Sequence, residues 1–277
     1  MDLIRTYDDF IFGHSLSQGL RDISRDFFIR MLSIKKDISK TNDWIRFPYY
    51  HHVFDDERKG FEKQLSYLKN FGDFISIDEV IEMLNEGSKI RGRYFCLSFD
   101  DGYRCCYTNM MDIISNMKIP AIIYLPTDFI NLNENDEADI EILKDNIPGN
   151  PKIITYLNWK QCREMLNSGI TFGSHTKSHA NLSILSEDEI KFELNESKKA
   201  IEKELSINCT HFACPWGRVN IDFKPEITEP IAKGLGYVSF ATTNRGMNTG
   251  FHDCFSLKRD HLLAGWSNYQ LKYFFGS

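Results

Sequence analysis

The chain has 277 residues, 42% of them hydrophobic, and 33 basic and 39 acidic residues give it a net charge of −6. This length suffices to bury a large core and fits either two domains or one α/β barrel. The mild acidity gives no sign of a nucleic-acid ligand, and 17 Gly, 8 Pro and 7 Cys exclude collagen-like, disordered and disulfide-scaffold proteins.

Residues 1–43 form a polar leading segment that we expect to be a helical extension. From Ser15 to about Lys36, apolar residues recur every three or four positions, which is typical of one face of a helix. These residues are Leu16, Leu20, Ile23, Phe27, Phe28, Met31 and Leu32. The face is expected to pack on the main domain or on a partner, with a second copy of the chain (a homo-oligomer) as one such partner and a membrane surface as the less favoured alternative.

The same segment is not expected to act as an export signal. Its first ten residues contain acids where a signal peptide has bases, and no apolar run approaches the roughly 20 residues that a bilayer span requires. The cysteines are odd in number and lack C-x-x-C spacing, as expected of free thiols in a reducing compartment. The sequence therefore predicts a cytoplasmic protein without a membrane span.

From residue 44 to residue 277, short apolar runs alternate with helical patterns. The predicted strands are Ile45–Tyr50, Phe74–Ile77, Tyr94–Phe99, Ala121–Leu125, Ile170–Gly173, Thr210–Cys214, Tyr237–Ala241 and Phe255–Lys258. The predicted helices are Phe61–Phe71, Ile77–Glu86, Tyr107–Met117, Trp159–Ser168, Glu187–Leu205 and Glu226–Leu235. The alternation favours one domain built on a parallel sheet with helical crossovers, open or closed into a barrel. The acidic, Asn-rich stretch Asn131–Pro151 has no clear period and is expected to be a surface loop.

Three stretches place polar residues directly after an apolar strand, which is where α/β barrels build their sites. In the first, Tyr94–Tyr103, Asp100 and Asp101 precede Gly102. Adjacent carboxylates repel each other unless a cation neutralises one of them. Taken alone, such a sequence is more often a turn than a site.

The second stretch, Ile170–His179, ends with His175 and His179, two imidazoles four residues apart. Taken alone, they would more often be two unrelated surface histidines than a metal site. Combined with a carboxylate they make a facial triad with open coordination positions. The third stretch, Phe212–Gly217, can supply a backbone N–H and an aromatic wall.

Together, Ser98–Gly102, His175-x-x-x-His179 and Pro215–Gly217 resemble the first three motifs of the polysaccharide deacetylase family (NodB homology, carbohydrate esterase family 4). Similar sequence texture extends from about Ile45 to Arg259. The resemblance implies that residues 44–277 form a distorted (β/α)7–8 barrel and that residues 1–43 are an added helical segment.

The resemblance also implies a role for each matching residue. Asp101, His175 and His179 would hold a divalent metal ion, with Zn²⁺ as the first choice and Co, Ni, Mn or Fe as alternatives. Asp100 would be the general base for the attacking water.

Trp216 would offer its backbone N–H to the oxyanion, with Pro215 and Tyr103 beside the substrate. The family's usual Arg before the prolines is replaced by Ala213, so Arg259 is expected to orient the base instead.

The general acid has more than one candidate. In the permuted subgroup that resembles poly-N-acetylglucosamine deacetylases, the acid lies ahead of the Asp-Asp-Gly motif in a Tyr-His-x-Val segment. Tyr49–Val53 fits that arrangement, which makes His51 the expected acid. His52 and His261 remain alternatives.

The function implied is metal-dependent removal of an N-acetyl group, or of a formyl or O-acetyl group, from a sugar. The substrate would be an N-acetylated sugar, a glycan, or a nucleotide-linked or lipid-linked sugar. A catalytically inactive carbohydrate-binding relative is the alternative. A non-haem iron oxygenase is disfavoured, because its carboxylate commonly lies two residues from the first histidine.

Overall fold

A computed structural model describes residues 2–12, 16–85, 90–250 and 252–277. Its strands are β1 (Trp44–Arg46), β2 (Pro48–Tyr50), β3 (Asp73–Phe74), β4 (Arg93–Phe95), β5 (Leu97–Phe99), β6 (Ala121–Leu125), β7 (Ile170–Ser174), β8 (His211–Ala213), β9 (Ser239–Ala241) and β10 (Asp260–His261). Its helices are α1 (Tyr7–Phe10), α2 (Leu16–Ser33), α3 (Arg58–Leu68), α4 (Ile77–Asn85), α5 (Met111–Met117), α6 (Glu137–Asp145), α7 (Trp159–Asn167), α8 (Glu187–Leu205), α9 (Pro225–Gly234) and α10 (Asn268–Phe275).

The main sheet is a curled, all-parallel sheet in the order β10-β2-β5-β6-β7-β8-β9. One continuous segment joins its two edges. The Leu257 N–H donates to the Phe240 carbonyl of β9 (3.0 Å), and the Leu262 N–H donates to the Tyr49 carbonyl of β2 (2.9 Å). The predicted distorted barrel is thereby confirmed, and the carboxyl ends of all its strands lie at one rim.

A smaller sheet, in the order β1-β4-β3, extends the barrel at its amino end. The predicted strands Ile45–Tyr50 and Tyr94–Phe99 each divide into two, one half in each sheet. The two predicted strands stay hydrogen-bonded to each other where each passes from one sheet to the other, because the Cys96 N–H donates to the Arg46 carbonyl (2.9 Å).

The strands form where apolar runs can be buried on both faces. All five residues of β6 are buried between the barrel interior and the surrounding helices, as expected of a strand in a parallel sheet. Helix α8 begins with a capping box between Ser186 and Glu189 and buries Ile190, Leu194 and Ile201 against the sheet. The seven cysteines are free, and all but Cys105 are buried.

Two predictions about local structure were wrong. The predicted strand Phe255–Lys258 instead contains a 3-10 turn, Cys254–Ser256, because the Asp253 carboxylate accepts the Phe255 N–H (2.8 Å) and curls the chain. The predicted loop Asn131–Pro151 contains α6, whose first turn is capped by the Asp136 carboxylate. The predicted helix Ile77–Glu86 is present, although Glu86 lies outside the described residues.

The leading segment is helical from Leu16, and Ser15 lies outside the described residues. Of its predicted apolar face, Phe27, Phe28, Met31 and Leu32 are exposed, so these side chains do not pack on the main domain. The side chains of Leu16, Leu20 and Ile23 lie outside the described residues. Packing on a second copy and the domain boundary at residue 43 stay predictions. None of the described helices combines the length and the apolar composition needed to cross a bilayer.

Candidate active site

Polar residues that directly follow the barrel strands line one cavity of about 620 Å³. His51 follows β2, Asp100 and Asp101 follow β5, and His175 follows β7. Because parallel strands end at the same rim, residues more than 120 positions apart in the chain meet in this cavity.

Asp101, His175 and His179 form a compact cluster. Oδ1 of Asp101 lies 3.5 Å from Nε2 of His175 and 3.2 Å from Nε2 of His179. One ligand atom from each residue lies within 4.8 Å of the others. Tetrahedral coordination with metal–ligand bonds of about 2.0–2.1 Å places neighbouring ligand atoms about 3.3 Å apart. The cluster therefore has the spacing of a metal site.

The polar atoms of the cluster are also oriented as ligands. Nδ1 of His175 lies 2.7 Å from the Ala213 carbonyl, which can only accept, so Nδ1 carries the hydrogen and Nε2 presents its lone pair to the cluster. Oδ1 of Asp101 is buried without a hydrogen-bond partner among the described residues. Three electron-pair donors facing each other with an orphaned carboxylate oxygen fit a bound cation.

The protonation states of the cluster residues also suit a bound cation. Burial lowers the pKa of His175 to about 4, which keeps this imidazole neutral near pH 7. Burial alone would raise the pKa of Asp101, but the close approach of His179 and the other nearby imidazoles outweigh it and hold the pKa below its ordinary value. A neutral imidazole beside an ionised carboxylate is an ordinary ligand set for a divalent transition metal.

The backbone at the cluster is strained. Asp101, His179 and Trp216 adopt left-handed conformations with φ of 68°, 57° and 54°. For residues other than glycine this typically costs about 1–3 kcal/mol each, and such residues concentrate at functional sites. Gly102 continues the turn at φ 62°, where a Cβ would lie 2.7 Å from a methyl group of Leu125.

Asp100 is held by a buried guanidinium. Arg259 donates from Nη1 to Oδ1 (2.6 Å) and from Nη2 to Oδ2 (2.8 Å), and its Nε donates to the Thr242 carbonyl (2.9 Å). Although burial opposes it, the charge of Arg259 and the neighbouring histidines lower the pKa of Asp100. The guanidinium absent at Ala213 is thus supplied by Arg259, which directly precedes β10.

The three histidines considered as acid occupy different places. His51 lines the cavity. His261 lies behind it, with Nε2 3.1 Å from Nδ1 of His51. His52 points away from the cavity, stacks on Phe54 at 4.2 Å and contacts the Glu57 carboxylate at 3.0 Å.

The residues expected to meet the substrate are divided between the cavity wall and the layer behind it. Trp216 is 48% exposed and packs edge-on against His179 at 4.7 Å. The backbone N–H of Trp216 donates no hydrogen bond to another described residue. Tyr103 lines the cavity and packs on Tyr156 at 5.0 Å. Pro215 is buried behind the rim and does not line the cavity.

The sequence reasoning missed a polar part of the wall. Asp145 and Asn146, at the end of α6, line the cavity, and Nδ2 of Asn146 is buried without a partner among the described residues. Both lie in the stretch expected to be a loop. The available signal was Asp136, an N-cap residue followed by an acidic first turn.

Comparisons with known proteins agree with this geometry. The family model for polysaccharide deacetylase matches residues 87–238, more than half of the chain. The poly-beta-1,6-N-acetyl-D-glucosamine N-deacetylase of Staphylococcus aureus (strain MRSA252) is 24% identical over 229 residues, which cover 76% of this chain and 72% of that protein.

Two solved structures have similar folds. The Streptococcus pyogenes deacetylase PplD in complex with acetate is 26% identical, with a TM-score of 0.65 over 85% of this chain and 98% of that one. IcaB from Ammonifex degensii, at 19% identity, has a TM-score of 0.68 over 84% of this chain and 97% of that one. This second similarity concerns the fold alone.

Proposed function

Because the chain belongs to the polysaccharide deacetylase family, we propose that its cavity hydrolyses the N-acetyl groups of an N-acetylglucosamine polymer, releasing acetate and leaving free amines. One observation carries the proposal: the Asp101–His175–His179 cluster lies in the same cavity as His51 and as Asp100, which Arg259 holds. The named activity of the staphylococcal relative supports this choice of substrate.

Asp101, His175 and His179 are the residues that would hold a divalent ion, with zinc as the first expectation. When bound, such an ion acidifies water and polarises a carbonyl oxygen. Nε2 of His175 is available for this task because Nδ1 is already bonded to Ala213.

Asp100 is the proposed general base. Arg259 donates one hydrogen bond to each oxygen of the Asp100 carboxylate, and each oxygen keeps a second lone pair free to accept a proton. The lowered pKa of Asp100 keeps the carboxylate ionised near neutral pH, so it can accept the proton of the attacking water. Arg259 acts through Asp100 and is a positioning residue.

The backbone N–H of Trp216 is the proposed donor to the oxyanion that forms on the acetyl carbonyl. It is unused within the described part of the chain, and Trp216 holds a left-handed conformation beside the cavity. Loss of one such donor typically lowers a rate by about 10²–10³.

His51 is the proposed general acid, which protonates the departing sugar nitrogen. When His51 is protonated, Nδ1–H needs an acceptor, and Nε2 of His261 lies 3.1 Å away. Burial, together with the charges of His51 and Arg245, lowers the pKa of His261 to about 3, so that ring stays neutral and can accept. His261 therefore holds His51 with its other nitrogen towards the cavity.

The test measures acetate and free amine from N-acetylglucosamine oligomers, with a nucleotide-linked N-acetylglucosamine as the comparison substrate. We expect turnover of the oligomers that a chelator abolishes and Zn²⁺ restores. Asp100→Asn should bind metal and lose turnover, whereas Asp101→Asn should lose both. Metal-independent turnover, or near-normal turnover by Asp100→Asn, would refute the mechanism, and turnover of the nucleotide sugar alone would refute the substrate.

A further inference from the structure

Helix α2 and the residue after it, Ile34, present a cluster of large apolar side chains to solvent. The exposed fraction lies between 53% and 66% for each of Phe27, Phe28, Met31, Leu32 and Ile34. We call these five residues the α2 apolar face. Soluble proteins seldom leave such a contiguous cluster uncovered unless it binds something.

The polar side of the same helix packs against the protein. The Asp26 carboxylate accepts hydrogen bonds from the Tyr269 hydroxyl (2.5 Å) and from Nε2 of Gln270 (3.1 Å). Ser33 is buried, and the Arg30 guanidinium lies 5.8 Å from the centre of the Tyr269 ring. A surface helix ordinarily packs its apolar side inward. Here that orientation is reversed, so the apolar face is free to contact another body.

The charge around the α2 apolar face is positive, although the chain as a whole is acidic. Residues 21–36 contain five basic residues, Arg21, Arg25, Arg30, Lys35 and Lys36, and two acidic ones, Asp22 and Asp26. Asp26 is already engaged with α10. Arg21, Arg30 and Lys35 are exposed. An aromatic apolar face flanked by basic side chains is characteristic of helices that lie in the interface of an anionic membrane.

We propose that the α2 apolar face docks the protein on the surface of an anionic lipid bilayer. The helix has 18 residues, about 27 Å in length, and the Asp26 side chain that bonds α10 lies, by helical spacing, on the opposite side from Phe28. It can therefore lie flat, with Phe27, Phe28 and Leu32 among the acyl chains and the basic side chains at the lipid phosphates.

A second copy of the chain fits this surface less well. In a two-fold symmetric dimer the same patch meets itself, so the basic residues around one α2 apolar face would approach those of the other. Without free acids in the described part of that face to pair with them, the contact would be repulsive. An anionic membrane surface would instead attract the basic side chains around the α2 apolar face.

The experiment is co-sedimentation of the full chain with vesicles of phosphatidylcholine alone or with 30% phosphatidylglycerol. We expect binding to the anionic vesicles that falls at least tenfold when NaCl is raised from about 0.05 to 0.5 M, because salt screens exposed charges. Phe27→Ser/Phe28→Ser and Arg21→Glu/Lys35→Glu should each lower the partition coefficient at least tenfold. Phe192→Ser, at an exposed position on α8, is the matched control and should bind like the parent.

Thermal unfolding and activity on soluble oligomers should be unchanged in these variants, since the side chains are exposed and do not line the cavity. Equal binding to both vesicle types, or unchanged binding of the Phe27→Ser/Phe28→Ser variant, would overturn the proposal. So would the absence of vesicle binding. A dimer that this variant converts to a monomer would instead assign the surface to a second copy.

Discussion

The pair formed by Arg259 and Asp100 allows a sharp test of how the barrel positions its base. Arg259 is fully buried, Asp100 is 2% exposed, and two hydrogen bonds of 2.6 and 2.8 Å join them. Arg259→Met keeps the length and apolar contacts of the side chain but leaves a carboxylate without its counter-charge. Removing one partner of such a buried pair typically costs about 3–5 kcal/mol of unfolding free energy.

The same substitution should change how activity depends on pH. In the parent, Arg259 and the histidines keep the pKa of Asp100 below its ordinary value of 3.8, so the base is ionised across the neutral range. Without the guanidinium, the opposing effect of burial remains and the pKa of Asp100 rises. The acid limb of kcat/KM should therefore move towards neutral pH, and the rate at pH 7 should fall by about 10²–10⁴.

The assays are urea unfolding in excess chelator and kcat/KM from pH 5 to 9. Asp100→Asn/Arg259→Met should be more stable than the sum of the single changes predicts, because neither charge is left unpaired. Arg46→Met is the control, since it breaks another buried arginine–aspartate pair, with Asp260 at 3.0 Å. It should lose stability without moving the acid limb. A parent-like pH profile for Arg259→Met, or additive stability losses, would refute the reasoning.

Three further predictions concern the cluster, the wall and the periphery. Saturating Zn²⁺ at about 100 times its Kd should add about 2.7 kcal/mol of stability, seen as a higher Tm in the parent and not in Asp101→Asn; equal shifts would contradict the assigned ligands. Asn146→Leu removes a buried, unpartnered amide facing the cavity, so KM for oligomers should rise about tenfold with kcat retained; an unchanged KM would show that this amide does not meet substrate. Hydrogen bonds from Arg104 lower the pKa of Glu134 from 4.5 to about 2, so the pair stabilises the fold above pH 4.5 and loses this contribution as the pH falls towards 2. In urea unfolding, the difference in unfolding free energy between the parent and Glu134→Gln should shrink as the pH falls from 4.5 to 2, by no more than about 2 kcal/mol. A difference that does not change with pH would contradict this assignment.

The strand–helix alternation and the candidate site residues could be predicted from the sequence alone. Both are local properties: β6 is a continuous apolar run, and α8 carries its own capping box and apolar line. Asp101 and His175 lie within two residues of the ends of β5 and β7, and parallel strands must bring their carboxyl ends together. The grouping of Asp101 with His175 and His179 could therefore be predicted without coordinates.

Tertiary structure decided which of several equivalent side chains reaches the cavity. His51 and His52 are neighbours in the sequence, yet the direction of the chain after β2 sends one to the cavity and the other to Glu57. The wall formed by Asp145 and Asn146 depends on where α6 docks, which no local period encodes.

Helix α2 illustrates the same limit. Its period identifies the apolar side, but contacts such as those from Tyr269 and Gln270 to Asp26, with the burial of Ser33, determine that this side faces outward. Periodicity records which side chains share a face, whereas the partner of that face is set by long-range contacts whose energies are spread over the whole chain.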